Sequence, residues 1–265
     1  MTKLAFLGAG NIAQAIIGGL IATGFKPGDI SAADPSEEQL IKLSTAGVRT
    51  SSDNHVAAAE ADVVILSVKP DIVERVSREI SSIATGKLFI SVAAGITATS
   101  LESWLESPTV IRCMPNTPAL VNKGMTGLYA TSAVSAEQRK IADTILSAIG
   151  ETLWFEEEAK LDAVTAVSGS GPAYFFYIIE VMQEAAVAAG LSKEESRKLV
   201  LQTALGAAEM AFQSIEPAAE LRRNVTSPGG TTAAALEVLQ QEAVDRIFLK
   251  AVLAAKKRSE ELSNI

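Results

Sequence analysis

The sequence predicts an α/β protein built on a doubly wound parallel sheet, followed by an all-α second domain. A glycine-rich turn links the first apolar segment to the first helical segment at residues 8–13. Strand-like and helical segments then alternate, and beyond Lys160 only long Ala- and Leu-rich helical segments follow. We therefore place the α/β domain in residues 1–158 and the helical domain in residues 159–265.

Composition narrows the class of protein. The chain has 265 residues, is 48% hydrophobic and carries a formal net charge of -8. Because Lys and Arg do not cluster, this charge argues against binding to nucleic acid.

Apolar runs such as Val63–Val68 are too short to span a membrane, and the N-terminus lacks a signal pattern, so we expect a cytoplasmic location. Cys113 and His55 are the only residues of their types, which disfavours disulfides, a metal site and a Ser-His-Asp triad.

The first strand and the turn after it indicate a nucleotide site. Lys3–Leu7 has the apolar character of a buried strand, and Gly8–Ala13 has the pattern Gly-x-Gly-x-x-Ala. The two glycines let the backbone approach a pyrophosphate at the start of a helix, and the small third residue lets that helix pack on the strand. We interpret residues 1–158 as a dinucleotide-binding Rossmann domain.

Asp34 directly follows the second predicted strand, Ile30–Ala33. A carboxylate at this distance from the glycine turn accepts hydrogen bonds from the adenosine ribose in NAD sites, and it would repel a 2′-phosphate. Glu37 and Glu38 add negative charge nearby, so nothing local favours NADP. The alternative is that Asp34 caps the following helix.

Further strands are predicted in segments 61–70, 88–91, 109–112, 127–130 and 151–155, with a helix at 136–148. Ligands of doubly wound sheets bind at the carboxyl ends of the strands. The loop Cys113–Pro118 should lie at that edge, where it either contacts nicotinamide or substrate or only turns the chain. Lys69 lies at the end of a predicted strand. Its side chain could be catalytic, but a solvent-exposed amine with no catalytic role is the better interpretation.

Two patterns mark the helical half. Ser192 and Glu195 have the spacing of a capping box at the start of a helix. Upstream, Ser168–Gly171 interrupts helical sequence with alternating Ser and Gly. Such a break is costly unless it packs closely against something. It is either a simple kink or a small-residue surface that a flat ring can approach.

The segment Asn224–Thr232 combines Pro228 and paired glycines with flanking hydroxyls, and a helical pattern starts immediately after it. Pro and Gly favour a tight turn, and the first N–H groups of the helix are then free to bind a small anion. Local residues alone also describe an ordinary capped helix. A dinucleotide domain upstream indicates a hydride-transfer enzyme, which also needs a site that holds the molecule accepting the hydride. We therefore interpret Asn224–Thr232 as that site.

Taken together, several sequence blocks resemble the pyrroline-5-carboxylate reductase family, which catalyses the last step of proline synthesis. In order, the blocks are Gly8–Asn11, Ser67–Pro70, Ala93–Ile96, Arg112–Pro118, Asp162–Tyr174 and Val225–Thr232. The first block could occur in any Rossmann enzyme, whereas the last two blocks are specific to this family. The resemblance covers nearly the whole chain.

The resemblance implies hydride transfer from NADPH or NADH to the C5=N imine of 1-pyrroline-5-carboxylate, giving L-proline. It also implies a helical domain that binds substrate and forms a homodimer, often assembled into decamers. Contacts to cofactor phosphates and ribose would come from Gly8, Ala9, Gly10, Asn11, Ile12, Asn54, Val68, Lys69 and Pro70. Ala93, Ala94 and Gly95 would line the nicotinamide side, and from its place in the loop Cys113–Pro118 we count Asn116 as a cofactor contact too.

The resemblance also assigns substrate residues. The substrate carboxylate would be held by Ser227, Pro228, Gly229, Gly230, Thr231 and Thr232, partly through backbone N–H groups. Thr165 would meet the carboxamide or the substrate. Thr232, Thr165 and Glu216 are thus the catalytic candidates, although the spacing of Glu216 departs from the family pattern and Glu220 competes with it.

Two other functions remain open from the sequence. A related 3-hydroxyacid dehydrogenase would need a Lys in the helical half, but Pro172, Ala173 and Tyr174 follow the Ser/Gly break. A non-catalytic dinucleotide-binding dimer gives no reason for Ser227–Thr232. The choice of nicotinamide is open as well, because the family often prefers NADPH while Asp34 favours NADH.

Overall fold

The computed structural model describes residues 2–263. Within that range, one sheet of eight strands organises the N-terminal part. The strands are β1 (Leu4–Leu7), β2 (Ile30–Ala33), β3 (Arg49–Ser51), β4 (Val63–Leu66), β5 (Leu88–Ser91), β6 (Val110–Met114), β7 (Gly124–Ala130) and β8 (Gly150–Trp154). Their order is β3-β2-β1-β4-β5-β6-β7-β8. The chain runs from β1 to one edge and returns past β1 to the other, which confirms the doubly wound fold.

Two details of the sheet differ from the sequence prediction. β7 is antiparallel to β6, with Cys113 opposite Leu128, whereas the other neighbours are parallel. The connection from Met114 to Gly124 is too short for a crossover helix, so the chain must turn back. β3 was not predicted, because Arg49–Ser51 is a short, polar edge strand without apolar alternation.

Helices cover both faces of the sheet. In this part of the chain they are α1 (Asn11–Ala22), α2 (Glu37–Thr45), α3 (Asn54–Ala58), α4 (Pro70–Ile80), α5 (Ala98–Leu105), α6 (Ala136–Leu146) and α7 (Lys160–Val164). Leu4 and Phe6 belong to the core cluster that contains α1, and Ala5 and Leu7 to the cluster that contains α4. Successive residues of β1 thus point to opposite faces, and both faces are buried.

The described chain divides into two compact units. The first contains the residues up to Ser170 and the chain from Ala255 onward, and the second is Gly171–Ala254. The first unit therefore includes α7 and a π-helical turn, Thr165–Gly169. The functional boundary between residues 158 and 159 stays a prediction.

The second unit is helical, as the sequence predicts. It contains α8 (Gly171–Ala188), α9 (Lys193–Gln213), α10 (Ala218–Asn224), α11 (Thr231–Gln241) and most of α12 (Val244–Leu262), whose end belongs to the first unit. The capping box of Ser192 and Glu195 is confirmed at the start of α9. None of the helices in residues 2–263 is long and apolar enough to cross a membrane.

Candidate active site

The loops after β1 to β5 emerge at one edge of the sheet, because these strands are parallel. The turn after β1 is shaped by close backbone packing. Gly8 has a φ of +98°, and a Cβ there would lie 2.6 Å from the carbonyl oxygen of Ser67. Ser67 Oγ donates to the carbonyl oxygens of Leu7 and Gly8 at 3.0 and 2.7 Å. Only glycine fits at position 8.

Gly10 faces open space instead. It is exposed, and a Cβ there would have no heavy atom within 4 Å. As the N-cap residue of α1 it makes no side-chain hydrogen bond, so the first-turn N–H groups, including those of Asn11 and Ile12, are available to a ligand. Free donors at a helix start and an unobstructed glycine suit a pyrophosphate. The residues present therefore fit a dinucleotide.

Asp34 links the loops after β1 and β2. Its Oδ2 accepts the N–H of Ala9 at 2.8 Å, and its Oδ1 accepts the N–H of Ser36 at 2.8 Å. The N-cap residue of α2 is Ser36, so Asp34 is not the helix cap that the alternative interpretation required. Its carboxylate lies beside the glycine turn, where it can also affect the choice of nicotinamide.

Two predicted ribose contacts have different surroundings. Lys69 is exposed and is the N-cap residue of α4, with Pro70 as the first helical residue. Asn54 begins α3 and donates from Nδ2 to Glu79 Oε2 at 3.0 Å. This bond uses one of the two amide protons, so the other proton and the carbonyl oxygen are available for a ribose contact. The cofactor roles of these residues stay predictions.

The loop after β5 contains Ala93, Ala94 and Gly95, the residues expected on the nicotinamide side. Ala93 is buried, and Gly95 has a φ of +74°. A Cβ on Gly95 would lie 3.3 Å from the Cβ of Leu262, so the end of α12 packs against this loop. The loop ends at Thr97, whose side chain caps α5 by accepting the N–H of Ser100.

Asn116 has protein partners at both ends of its amide. Nδ2 donates to the carbonyl oxygen of Ser168 at 3.1 Å, and Oδ1 accepts the N–H of Met125 at 2.9 Å. The side chain therefore joins the loop after β6 to β7 and to the π-helical turn. These bonds indicate a structural role, and the predicted cofactor contact of Asn116 stays untested.

The Ser/Gly break takes the form of the π-helical turn, a feature frequently found at functional sites. A Cβ on Gly169 would lie 2.6 Å from Met114 Cε, so part of the small-residue surface packs against protein. Thr165 Oγ1 donates to the carbonyl oxygen of Leu161 at 2.8 Å. Since its proton is already donated, this hydroxyl can still accept a hydrogen bond from a ligand.

In the second unit, the loop between α10 and α11 has the predicted tight turn. Gly229 has a φ of +69°, and the N–H of Gly230 donates to the carbonyl oxygen of Ser227 at 3.0 Å. Gly230 is the N-cap residue of α11 and has no side-chain cap. In the part of the chain that the structure describes, the hydroxyls of Ser227, Thr231 and Thr232 make no hydrogen bond. Together with the first N–H groups of α11 they form a donor-rich loop.

The two competing glutamates have different partners. Glu216 is exposed, and its Oε2 accepts a hydrogen bond from Asn224 Nδ2 at 3.3 Å. Glu220 pairs with Arg223 on the same helix. Asn224 is the last residue of α10, the helix that also carries Glu220, so both glutamates lie shortly before the donor-rich loop and the choice between them stays a prediction.

Sequence analysis did not single out Glu158, although it touches one of the loops at the sheet edge. Glu158 Oε1 accepts the N–H of Ala98, the first residue of α5, at 2.6 Å. It is one of three consecutive glutamates, and nothing in that run distinguishes it. Only its contacts in the folded chain identify it.

Comparisons with known proteins cover both parts of the chain. Residues 158–262 match the family described as pyrroline-5-carboxylate reductase dimerisation. Residues 3–95 match the family described as NADP oxidoreductase, coenzyme F420-dependent. A relative from Pseudomonas aeruginosa, named pyrroline-5-carboxylate reductase, is 48% identical over 264 residues, which cover 98% of this chain and 97% of the relative.

Solved structures agree with these matches. A pyrroline-5-carboxylate reductase from Coxiella burnetii superposes with a TM-score of 0.95 at 42% identity, covering 99% of this chain and 98% of the other. The pyrroline carboxylate reductase of Plasmodium falciparum, solved with NADP bound, superposes with a TM-score of 0.89 at 32% identity and with the same coverage of both chains. This chain therefore belongs to the pyrroline-5-carboxylate reductase family.

Proposed function

We propose that this protein is an NAD(P)H-dependent oxidoreductase that reduces the C5=N imine of 1-pyrroline-5-carboxylate to L-proline. Family membership over nearly the full length supports the reaction class. The observation that carries the substrate assignment is the donor-rich loop Ser227–Thr232, which combines hydroxyls that make no hydrogen bond within the described residues with the first N–H groups of α11. A loop of this kind suits a small carboxylate. The glycine turn at Gly8–Gly10 is suited to the cofactor pyrophosphate.

The loop residues bind the substrate and do not transfer protons. The hydroxyls of Ser227 and Thr232 donate to the carboxylate, assisted by the N–H groups at the start of α11. A hydrogen bond to a charged group contributes about 1.5 to 3 kcal/mol. Fixing the carboxylate orients the ring, and orientation is the main requirement for transfer to an already reactive acceptor.

Thr165 supplies the complementary group for the ring nitrogen. Because its hydroxyl proton is bonded to Leu161, its oxygen is the acceptor that a protonated imine N–H requires. The carboxylate of Glu216 is the second candidate for this role. When bound, the reduced nicotinamide supplies the hydride to C5, and the C=N electron pair moves to the ring nitrogen. The nitrogen already carries its proton, so no protein acid is needed during transfer.

A direct assay tests this function. Purified protein is mixed with the imine and NADH or NADPH, nicotinamide oxidation is followed by absorbance, and proline is identified by chromatography. We expect oxidation matched by proline formation with both nicotinamides. Oxidation of 3-hydroxy acids with NAD or NADP, without imine reduction, would favour the dehydrogenase alternative. Nucleotide binding without any turnover would favour the non-catalytic dimer.

We also propose that the protein is a homodimer formed through the helical unit, with a decamer as its larger assembly. Large apolar side chains of this unit are exposed in the single chain, among them Phe175, Phe176 and Phe212 at 68%, 64% and 76%. An apolar groove of about 740 Å³ lies between α8, α11 and α12. Exposed apolar surface of this kind is typical of a protein interface. Sedimentation should give at least twice the mass of the chain. The cytoplasmic location stays a prediction.

A further inference from the structure

Glu158 lies at a junction of three segments of the first unit. Its Oε1 accepts hydrogen bonds from Arg112 Nη1 at 2.5 Å and from the N–H of Ala98 at 2.6 Å. The side chains of Arg112 and Glu158 are only 10% and 26% exposed. A shielded, charge-assisted contact is stronger than a surface ion pair. Loss of the carboxylate would leave a buried guanidinium without its partner.

The segments joined at Glu158 are those expected to surround the reacting atoms. Ala98 begins α5 and directly follows the loop Ala93–Thr97, whose first residues are expected on the nicotinamide side. Glu158 itself precedes α7, which runs without interruption into the turn that begins with Thr165. The carboxylate also lies at the N-terminus of α5, where the helix dipole favours negative charge.

The end of α12 makes a second connection between the same two segments. Ser259 Oγ donates to Asp162 Oδ1 on α7 at 2.6 Å, and Ser259 is 5% exposed. One turn later, Leu262 packs against Gly95 in the loop. The loop after β5 and the helix that carries Thr165 are therefore linked by two separate sets of contacts.

We propose that Glu158 is a positioning residue that holds the loop Ala93–Thr97 against the helix carrying Thr165, with the end of α12 as a second connection. Glu158 touches no reacting atom. The proposal rests on the proposed function, in which this loop borders the nicotinamide and Thr165 meets the ring nitrogen. Since hydride transfer depends steeply on the separation of donor and acceptor, a small shift of the loop lowers its rate.

Matched variants separate this role from general stability. Glu158→Ala removes both hydrogen bonds, and Glu158→Gln keeps an acceptor for Ala98 but loses the charge that faces Arg112. Ser259→Ala removes only the hydrogen bond to Asp162 in the second connection, so exchange at Ala98, whose bond to Glu158 remains, should stay nearly unchanged. Glu157→Gln is the control, because Glu157 is adjacent, its side chain is 70% exposed, and among the described residues its ion pair is with Lys160 at 3.1 Å.

The first measurement is amide hydrogen exchange of nucleotide-free protein. Exchange at Ala98 should rise roughly tenfold to a hundredfold in Glu158→Ala, less in Glu158→Gln, and not in Glu157→Gln, because a charge-assisted hydrogen bond is lost. Nucleotide affinity should weaken by about tenfold in Glu158→Ala. Unchanged exchange at Ala98 would overturn the proposed connection, whether or not the protein reduces the imine.

The second measurement is the single-turnover rate constant of hydride transfer, recorded by stopped flow. We expect it to fall by about tenfold or more in Glu158→Ala, to recover in part in Glu158→Gln, and to stay unchanged in Glu157→Gln. Partial unfolding would lower the amplitude and leave the rate constant unchanged, and that result would overturn the positioning role. No turnover by the unmodified protein would reject the proposed function, while exchange at Ala98 and nucleotide affinity would still decide whether Glu158 holds the loop.

Discussion

The carboxylate of Asp34 accepts the N–H of Ala9 at 2.8 Å, so the acidic residue after β2 is bonded directly to the glycine turn after β1. The two residues are 25 positions apart in the chain. This bond fixes the turn after β1 against the loop after β2. It also keeps a negative charge beside the backbone that is expected to contact the cofactor.

Replacing Asp34 should change the preference between the two nicotinamides. Asp34→Asn keeps an oxygen for the N–H of Ala9 but removes the charge, so kcat/KM with NADPH relative to NADH should rise by about tenfold, or about 1.4 kcal/mol. Asp34→Ala should shift the preference in the same direction and also weaken binding of both nucleotides. Steady-state rates with each nicotinamide measure this ratio. An unchanged ratio in both variants would remove Asp34 from cofactor selection.

The two glycines of the turn should respond differently to an added methyl group. Gly8→Ala places a Cβ 2.6 Å from a carbonyl oxygen, at a φ of +98°, so we expect a loss of about 1 to 3 kcal/mol in the free energy of unfolding. Gly10→Ala meets no protein atom and should leave that free energy nearly unchanged. It should nevertheless weaken nucleotide binding, because the methyl group points into space suited to the pyrophosphate. Urea unfolding and nucleotide titration measure the two effects, and equal destabilisation would contradict this distinction.

Thr232→Ala should raise KM for the imine and lower kcat/KM by a factor equivalent to about 1.5 to 3 kcal/mol, since a hydrogen bond to the substrate carboxylate is lost. Thr226→Ala is the matched control in the same loop, because the Thr226 hydroxyl already donates to the carbonyl oxygen of Arg222 at 2.6 Å. The control should leave KM unchanged. If Thr232→Ala left both KM and kcat unchanged, Thr232 would not be part of the substrate site.

The thiol of Cys113 should be unreactive in the folded protein. Burial raises its pKa from 9.0 to about 12, an effect that the charge of Arg112 opposes only in part. At pH 8 the thiol therefore remains protonated, and labelling with a disulfide reagent should require denaturant. Rapid labelling of native protein would contradict the burial of this side chain.

The same shift predicts a pH dependence of stability. Because the folded state binds the thiol proton more tightly than the unfolded state, the contribution of Cys113 is fully present below pH 9 and is lost as pH rises towards about 12. Cys113→Ala should lack this component. Urea unfolding of both proteins at increasing pH gives the difference, and parallel curves would contradict it.

The sequence was sufficient for features that depend on neighbouring residues. The buried strands β1, β4 and β5 are apolar runs, the glycine turn has its motif, and the Ser192 capping box needs only residues three positions apart. The edge strand β3 escaped prediction because its polar residues have no alternating apolar pattern. The sequence also does not predict that β7 is antiparallel to β6, because a run of apolar residues does not specify whether a strand pairs in the parallel or the antiparallel direction.

Tertiary structure decided which of the polar residues have partners. The amide of Asn116, whose predicted cofactor contact stays a prediction, bonds Ser168 and Met125. Glu158, indistinguishable in sequence from the glutamates before it, bonds Ala98 sixty positions earlier. Local propensity and hydrophobic period determine helices and strands, and these are readable along the chain. A hydrogen bond between distant residues depends on how those elements pack, so only the folded chain separates a side chain that is free to bind a ligand from one that holds the protein together.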